Sequence, residues 1–307
     1  MASRRSTPPG VPGQPSVPPR MNADDNGLGT VGPARGWILP RLRSRLSEER
    51  LLPLLSFLVV AFAWEFSADI GILNPLFFAQ PSAIILAGYR DIQTLTFWGD
   101  VETSVSEFLA GYFIAVAAGF AFGVLMGWFR RVEYLFGPWV DGLNATPSLA
   151  LMPLVLIWFG LGGTSKVAII FITAFVPVVL NVYTGVRTVD QHFVRVAASF
   201  GSSRSHLVRS VVVPSIAPFG FAGARIGVGR AVSGVVVGEF FAAQSGLAFR
   251  IFQDAQVLET ANVLFNALAI TFLALAAFKL VGLAERRTLR WQWIGAGGAQ
   301  STSGENR

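Results

Sequence analysis

The sequence predicts an all-α membrane protein, a polytopic helical bundle with about six transmembrane helices, and three observations carry that expectation. Of the 307 residues, 52% are hydrophobic and only 14% charged, a balance well outside that of a soluble globular domain. The apolar residues gather in runs near 51–73, 105–128, 147–162, 166–186, 217–242 and 260–283, and all but the third comfortably reach the ~20 residues that cross hydrocarbon as a helix. The basic residues fall on one side of such a bundle.

Taken in order, residues 1–50 hold eight prolines among serines, glycines and arginines (STPPGVPGQPSVPPR, then RLRSRLSEER). That mixture buries too little apolar surface to offset its ordering entropy, so a disordered cytoplasmic tail is expected. The first apolar run starts only near Leu51, too far in for a cleaved leader. The transmembrane domain is expected over 51–285, followed by a second cytoplasmic tail at 286–307. Within it the third run is short, and four polar or small residues (Gly162, Gly163, Thr164, Ser165) separate it from the fourth, which fits a tight external hairpin. Six crossings with the amino end inside place the loops 129–146 and 187–216 in the cytoplasm with both termini. This layout puts 18 of the 24 basic residues inside and three outside (Arg90, Lys166, Arg250). The positive charge is therefore an orientation signal, and no nucleic-acid partner is implied.

Two helices carry small residues at four-residue spacing: Gly111, Ala115, Gly119, Gly123 and Gly127 in the second, and Gly223, Gly227 and Ala231 with Gly234 and Gly238 in the fifth. Lipid supplies no hydrophobic drive for helix association, so such ladders mark faces where backbones approach one another.

Function classes narrow by absence of chemistry. There is no cysteine, and His192 and His206 are too few for a histidine-rich metal site. The chain lacks the phosphate loop GxxxxGK[ST], the GxSxG elbow and HExxH, and Gly227-Val228-Gly229 lies inside an apolar helix. No catalytic residue, cofactor or metal is expected. Charges within the runs are Glu65, Glu107, Arg225, Arg230, Glu239 and Lys279. Glu107 and Lys279 lie near predicted helix ends and can snorkel, with Glu107 assigned to the cytoplasmic side. Glu65 and Glu239 lie toward the external ends, open to a structural or a functional role, and Arg225 and Arg230 are expected to pair with neighbouring helices. An ion-coupled transporter would bury acids near the midplane, and the middles of the third, fourth and sixth helices hold no ionisable residue.

The loop Arg187–Pro214 is the longest between helices on the expected cytoplasmic side. Val194, Ala197, Ala198, then Leu207, Val208, Val211 and Val212 recur at helical spacing, Gly201 interrupts them, and Pro214 is expected to end the second helix. In register with this pattern lies the signature EAA, three residues, Gly, nine residues, I-x-L-P. The sequence thereby resembles the membrane subunits of binding-protein-dependent ABC importers, with Arg195 and Val196 standing where the signature has Glu and its first Ala. Trp64-Glu65-Phe66, Phe78 to Ser82, Thr146-Pro147 with the block Pro153 to Gly162 containing Trp158-Phe159-Gly160, and Glu239 with Ser245-Gly246-Leu247 resemble elements of the nitrate, sulfonate and taurine permease branch. Together these elements cover about residues 60–285.

The resemblance implies a MetI-like permease fold and an inner-membrane homodimer. It also implies a separate ATPase subunit, a periplasmic solute-binding protein and a small solute such as a sulfonate, taurine or nitrate, or alternatively a thiamine-precursor pyrimidine or other ring compound. It assigns coupling to the ATPase to helices at 189–214 through Ala197, Ala198, Gly201, Arg204, Leu207, Val208 and Pro214. Gly119, Gly123, Pro147, Pro153, Trp158, Gly160, Gly227 and Glu239 are candidates for helix packing or the solute pathway. Membrane lipid is a further expected partner; the basic tail either binds it through its arginines or is inert, and composition favours an inert tail.

Overall fold

The computed structural model describes residues 39–74, 76–189, 199, 201, 203, 206, 208–242 and 244–289, and among them every regular element is a helix. They are α1 (Leu39–Asp69), α2 (Pro81–Ile92), α3 (Leu95–Trp128), α4 (Arg130–Ala145), α5 (Ser148–Phe159), α6 (Gly163–Arg187), α7 (Val213–Ala242), α8 (Leu247–Gln256) and α9 (Thr260–Thr288), with a π turn over Val208–Val212 leading into α7. The chain divides into a unit ending at Phe57, in which the described residues are the start of α1, and a unit from Leu58 onward that holds every other described element.

Five helical segments are long and apolar enough to span a membrane, Leu51–Asp69, α3, α6, α7 and α9, and a bent pair, α4 with α5, makes up to six. The third crossing therefore differs from a simple hairpin strut. A 12-residue α5 reaches only ~18 Å at 1.5 Å per residue, and it meets α4 at 109°. The cause is local: the residue before a proline avoids the helical region, and Thr146, before Pro147, takes ψ 126° and ends α4. Hence the stretch expected as a loop, 129–146, is mostly helix. α3 also begins earlier than its apolar run, at Leu95, where the Thr94 hydroxyl caps the Phe97 N–H at 3.3 Å.

α6 lies between α3 and α7 and is the most enclosed of the spans. The small-residue ladders explain how closely they meet. A Cβ at Gly111 would lie 2.6 Å from Ile170 Cγ2, at Gly119 2.9 Å from Val178 Cβ, and at Gly123 2.8 Å from the Val179 carbonyl oxygen. From the other side, a Cβ at Gly223 would lie 3.0 Å from Val178 Cα, and at Gly234 2.9 Å from Ile170 Cα. The ladder residues Ala115 and Ala231 join Ile170, Ala174 and Val228 in one buried core, which Phe108, Tyr112 and Met152 complete. Other large apolar side chains point outward, Phe62, Phe113 and Phe272 each being more than 60% exposed, as a hydrocarbon solvent permits.

Pro214 does not stop a helix. The helical path runs from Val208 through Ala242, with Pro214 in the first turn of α7. The π turn accounts for this, because it widens the backbone around Ser210, the residue whose carbonyl a proline ring at 214 would otherwise meet.

Candidate functional site

Two short helices outside the spans, α2 and α8, are each capped by a carboxylate from a spanning helix. At α2, the Glu65 side chain accepts from the Ser82 N–H at 3.0 Å and from the Ser82 hydroxyl at 2.6 Å. Glu65 is thus tied to the start of α2, and the separation in sequence between Trp64-Glu65 and Pro81-Ser82 closes in space. Proline suits that helix start because its missing N–H is a donor the first turn leaves unpaired in any case.

At α8 the arrangement is deeper. Glu239, fully buried, accepts from the Ser104 hydroxyl at 2.6 Å and from the Ala248 N–H at 2.7 Å. Ser104 Oγ in turn accepts from the Leu247 N–H at 2.9 Å, and Asp100 accepts from the Gly246 N–H at 2.8 Å. Three side chains therefore satisfy three consecutive amides at the start of α8, the donors a helix leaves free. Gly246 is required here twice over. Its φ is +125°, and a Cβ would stand 2.5 Å from Glu239 Oε2.

The network extends outward through ions. Arg250 bridges Asp91 of α2 at 2.9 Å and Asp100 of α3 at 3.2 Å. Burial works against its charge, yet the two carboxylates outweigh it and hold its pKa above the ordinary arginine value. Burial likewise raises Asp254, against the pull of the Asn266 amide, which donates to it at 3.0 Å, and of Arg250. Glu107 of α3 pairs with Lys166 of α6, both largely buried. Glu107 therefore does not snorkel at the far end of the bundle: as the thirteenth residue of α3 it lies at the same end as Glu239 and the start of α6. The depth expected for it was wrong because chain direction puts the first half of α3 beside the second half of α7.

At the opposite end, Glu133 of α4 accepts from the Tyr183 hydroxyl at 2.6 Å and pairs with Arg187 at 3.2 Å, tying α4 to α6. Arg225 pairs with Glu285 of α9 at 2.8 Å. Arg230 differs, with no ion pair or hydrogen bond among the described residues.

The sequence-derived site residues fall in several places. Gly119, Gly123 and Gly227 lie on α3 and α7 against α6, with Gly227 less tightly held, since a Cβ there would stay 3.5 Å from the Ala174 carbonyl oxygen. Pro147 is the N-cap of α5 and Pro153 lies inside it, while Trp158 is 64% exposed near its end. Gly160, with φ +73°, begins the turn to α6. Of the loop residues, Ala197, Ala198, Arg204 and Leu207 lie outside the described residues, and Val208 is described by its backbone only. Gly201 sits in a turn at φ +72°, exposed, with open space where a Cβ would be. A recess near this end is lined by Gly127, Trp128, Arg130, Arg187 and Val212.

Residues 115–290 match the family model described as binding-protein-dependent transport system inner membrane component. The chain belongs to this family. The permease is 32% identical over 254 residues to the taurine transport system permease protein TauC of Escherichia coli, covering 80% of this chain and 91% of that protein. It is 30% identical to the riboflavin transport system permease protein RibX of Chloroflexus aurantiacus, over 83% and 96% of the two chains. With the putative aliphatic sulfonates transport permease protein SsuC of Bacillus subtilis it shares 27% identity over 76% and 85%. The chain is thus the multi-pass, membrane-spanning permease subunit of an ABC importer, and ATP hydrolysis belongs to a separate subunit.

The capping network of the permease was only half legible beforehand. Glu239 and Ser245-Gly246-Leu247 stand out as a motif, but Asp100, Ser104, Arg250 and Asn266 lie outside the apolar runs or read as ordinary polar residues. The one local signal for them is a pair of acids, Asp100 and Glu102, just ahead of an apolar run.

Proposed function

We propose that this permease carries a small anionic solute, a sulfonate, taurine or nitrate-like ion. A periplasmic binding protein delivers the solute, and two copies of the chain work with two ATPase subunits. The observation that carries the solute class is the 32% identity to a taurine permease along 91% of its length. A second reading, a ring compound such as a thiamine-precursor pyrimidine, is favoured by the likeness to a riboflavin permease over 96% of that protein. In both readings the amino and carboxyl ends are cytoplasmic, as the basic-residue count argues. Residues 1–50 form a basic tail available to anionic lipid, 51–285 the transmembrane domain, and 286–307 a second tail.

Coupling to the ATPase is assigned to 189–214. Closure of the ATPase pair must reach helices embedded in lipid, and a short helix held by a fixed turn and docked in the ATPase transmits it as a rigid lever. Gly201 supports this reading, since its φ of +72° is one that residues bearing a Cβ rarely adopt. Leu207 and Val208 supply apolar contacts, Arg204 and Arg209 meet acidic groups on the ATPase, and the π turn over Val208–Val212 runs directly into α7.

The test is purification of the tagged chain from native membranes, with mass spectrometry of its partners, for the native sequence and for Gly201→Trp. The native chain is expected to bring an ATPase that the variant loses, while the variant still inserts and ATP-dependent taurine uptake vanishes. Normal uptake by Gly201→Trp defeats the lever. A native chain that purifies alone and drives uptake from an ion gradient defeats the whole reading.

A further inference from the structure

Of the charged residues inside the apolar runs, Glu65, Glu107, Arg225 and Glu239 have a partner among the described residues, while Lys279 and Arg230 have none, and of these two only Arg230 faces other polar side chains. It is the eighteenth of the 30 residues of α7, and its side chain is exposed. A guanidinium at that depth is too costly to leave facing hydrocarbon, so this face of α7 meets water or protein. Arg230 opens onto a small recess of about 30 Å³, room for one water or one oxyanion oxygen, whose polar lining is Asn144, Thr146, Ser148 and Thr173 beside apolar walls that include Leu151 and Val176. That polar lining comes from the α4–α5 bend and from the hydroxyl-bearing residue of α6 opposite it. Asp141, about one turn earlier on α4, forms no ion pair with Arg230. The Asn144 and Ser148 side chains likewise make no hydrogen bond among the described residues, so the recess presents one unneutralised cation with uncommitted donors beside it.

We infer that Arg230, with Asn144 and Ser148 at the α4–α5 bend, forms an anion-reading station partway along the solute pathway. There the guanidinium meets the oxyanion head of the solute after its release from the binding protein. The inference rests on the permease reading and deepens its solute class. The chemistry fits a planar donor fork, which pairs with a sulfonate, carboxylate or nitrate through parallel N–H···O bonds. The low-dielectric walls around it focus its field on whatever ion enters. On this reading the pathway meets the charge of its cargo with a fixed cation.

A thiol reporter tests this without knowing the solute. The chain has no cysteine, so Ser148→Cys introduces a single thiol in the recess at almost no change in size. In inverted vesicles and in intact cells carrying the complete importer, that thiol is labelled with an anionic sulfonatoethyl methanethiosulfonate and with its cationic trimethylammonium counterpart. Each rate is normalised to a free thiol in solution. The anionic reagent is expected to be favoured about tenfold, with the preference kept in Ser148→Cys with Arg230→Lys and lost in Ser148→Cys with Arg230→Gln. Size-exclusion profiles of the solubilised variants confirm that each remains folded.

Labelling by neither reagent from either side would mean that the recess is packed shut, and would overturn the station. Equal labelling with and without the arginine would mean a wet path that does not select anions, and would overturn it as well. Neither result touches the permease assignment, which the Gly201 experiment tests by partner recovery and uptake.

Discussion

Two of the three charged residues of helix α7, nine positions apart, have opposite fates. Glu239 is fully buried and accepts from Ser104 and Ala248, within a network that also ties Asp100, Arg250 and Asp91 together. Arg230 is exposed near mid-depth and pairs with nothing among the described residues. The difference separates two uses of charge in a membrane protein. Where a buried carboxylate is met by donors on neighbouring elements, charge is architecture, and here it anchors a short helix onto three spans. Where a cation is left open beside uncommitted polar groups, it is available to something that passes through.

The largest expected effect breaks the first half of that comparison. Glu239→Ala leaves the Ala248 N–H and the Ser104 hydroxyl without their acceptor in a dry site, which costs roughly 2–4 kcal/mol. A fall in melting temperature and in folded yield in mild detergent checks it. Glu239→Gln, which keeps one acceptor, is expected to lose less than half as much. An unchanged melt for Glu239→Ala would mean that the α8 anchor is decorative.

A smaller effect sharpens the comparison at the packing beside Arg230. Gly234→Val places new atoms against Thr173 Oγ1, which a Cβ alone would approach to 2.7 Å, and against Ile170 Cα at 2.9 Å. Overpacking of this kind costs about 1–3 kcal/mol. Gly227→Ala, about two helical turns away with its Cβ no closer than 3.5 Å to its neighbours, is expected to be neutral or to stabilise by up to ~1 kcal/mol through helix propensity. Thermal unfolding of the two variants side by side distinguishes a ladder with graded tolerance from a uniform one.

The smallest effect is a pH slope at the α8 network. Burial raises the Asp254 pKa in the folded protein, so between the ordinary carboxylate value and the raised one the folded state holds a proton that the unfolded state has released. Stability from this group is therefore greatest at low pH and declines as pH rises through that window. Asp254→Asn is expected to flatten the slope of melting temperature measured over roughly pH 4 to 7, leaving the part due to other acids.

Much of the fold was legible because the bilayer imposes a length and a polarity on every span. The apolar runs map onto the observed helices, and the ladders of Gly119, Gly123 and Gly234 point to the faces that meet α6. Elements outside the hydrocarbon rule were missed. α2 and α8 are short and amphipathic, with no length criterion to reveal them, and the first turns of α3 are polar because their partners come from α8.

The sequence by itself determined the class of the protein, the number of spans to within one, an interruption ahead of the run that opens at Pro147, and the helix faces that small residues leave open to a neighbour. Each of these follows from a property of a few neighbouring residues: hydropathy, the proline ring, a missing Cβ. Only the tertiary structure decided that Glu107 meets Lys166, that Glu65 and Glu239 are helix caps, and that Arg225 is paired while Arg230 is open. Those outcomes depend on which residue of a distant helix arrives at the same depth and face, and no local pattern encodes that meeting.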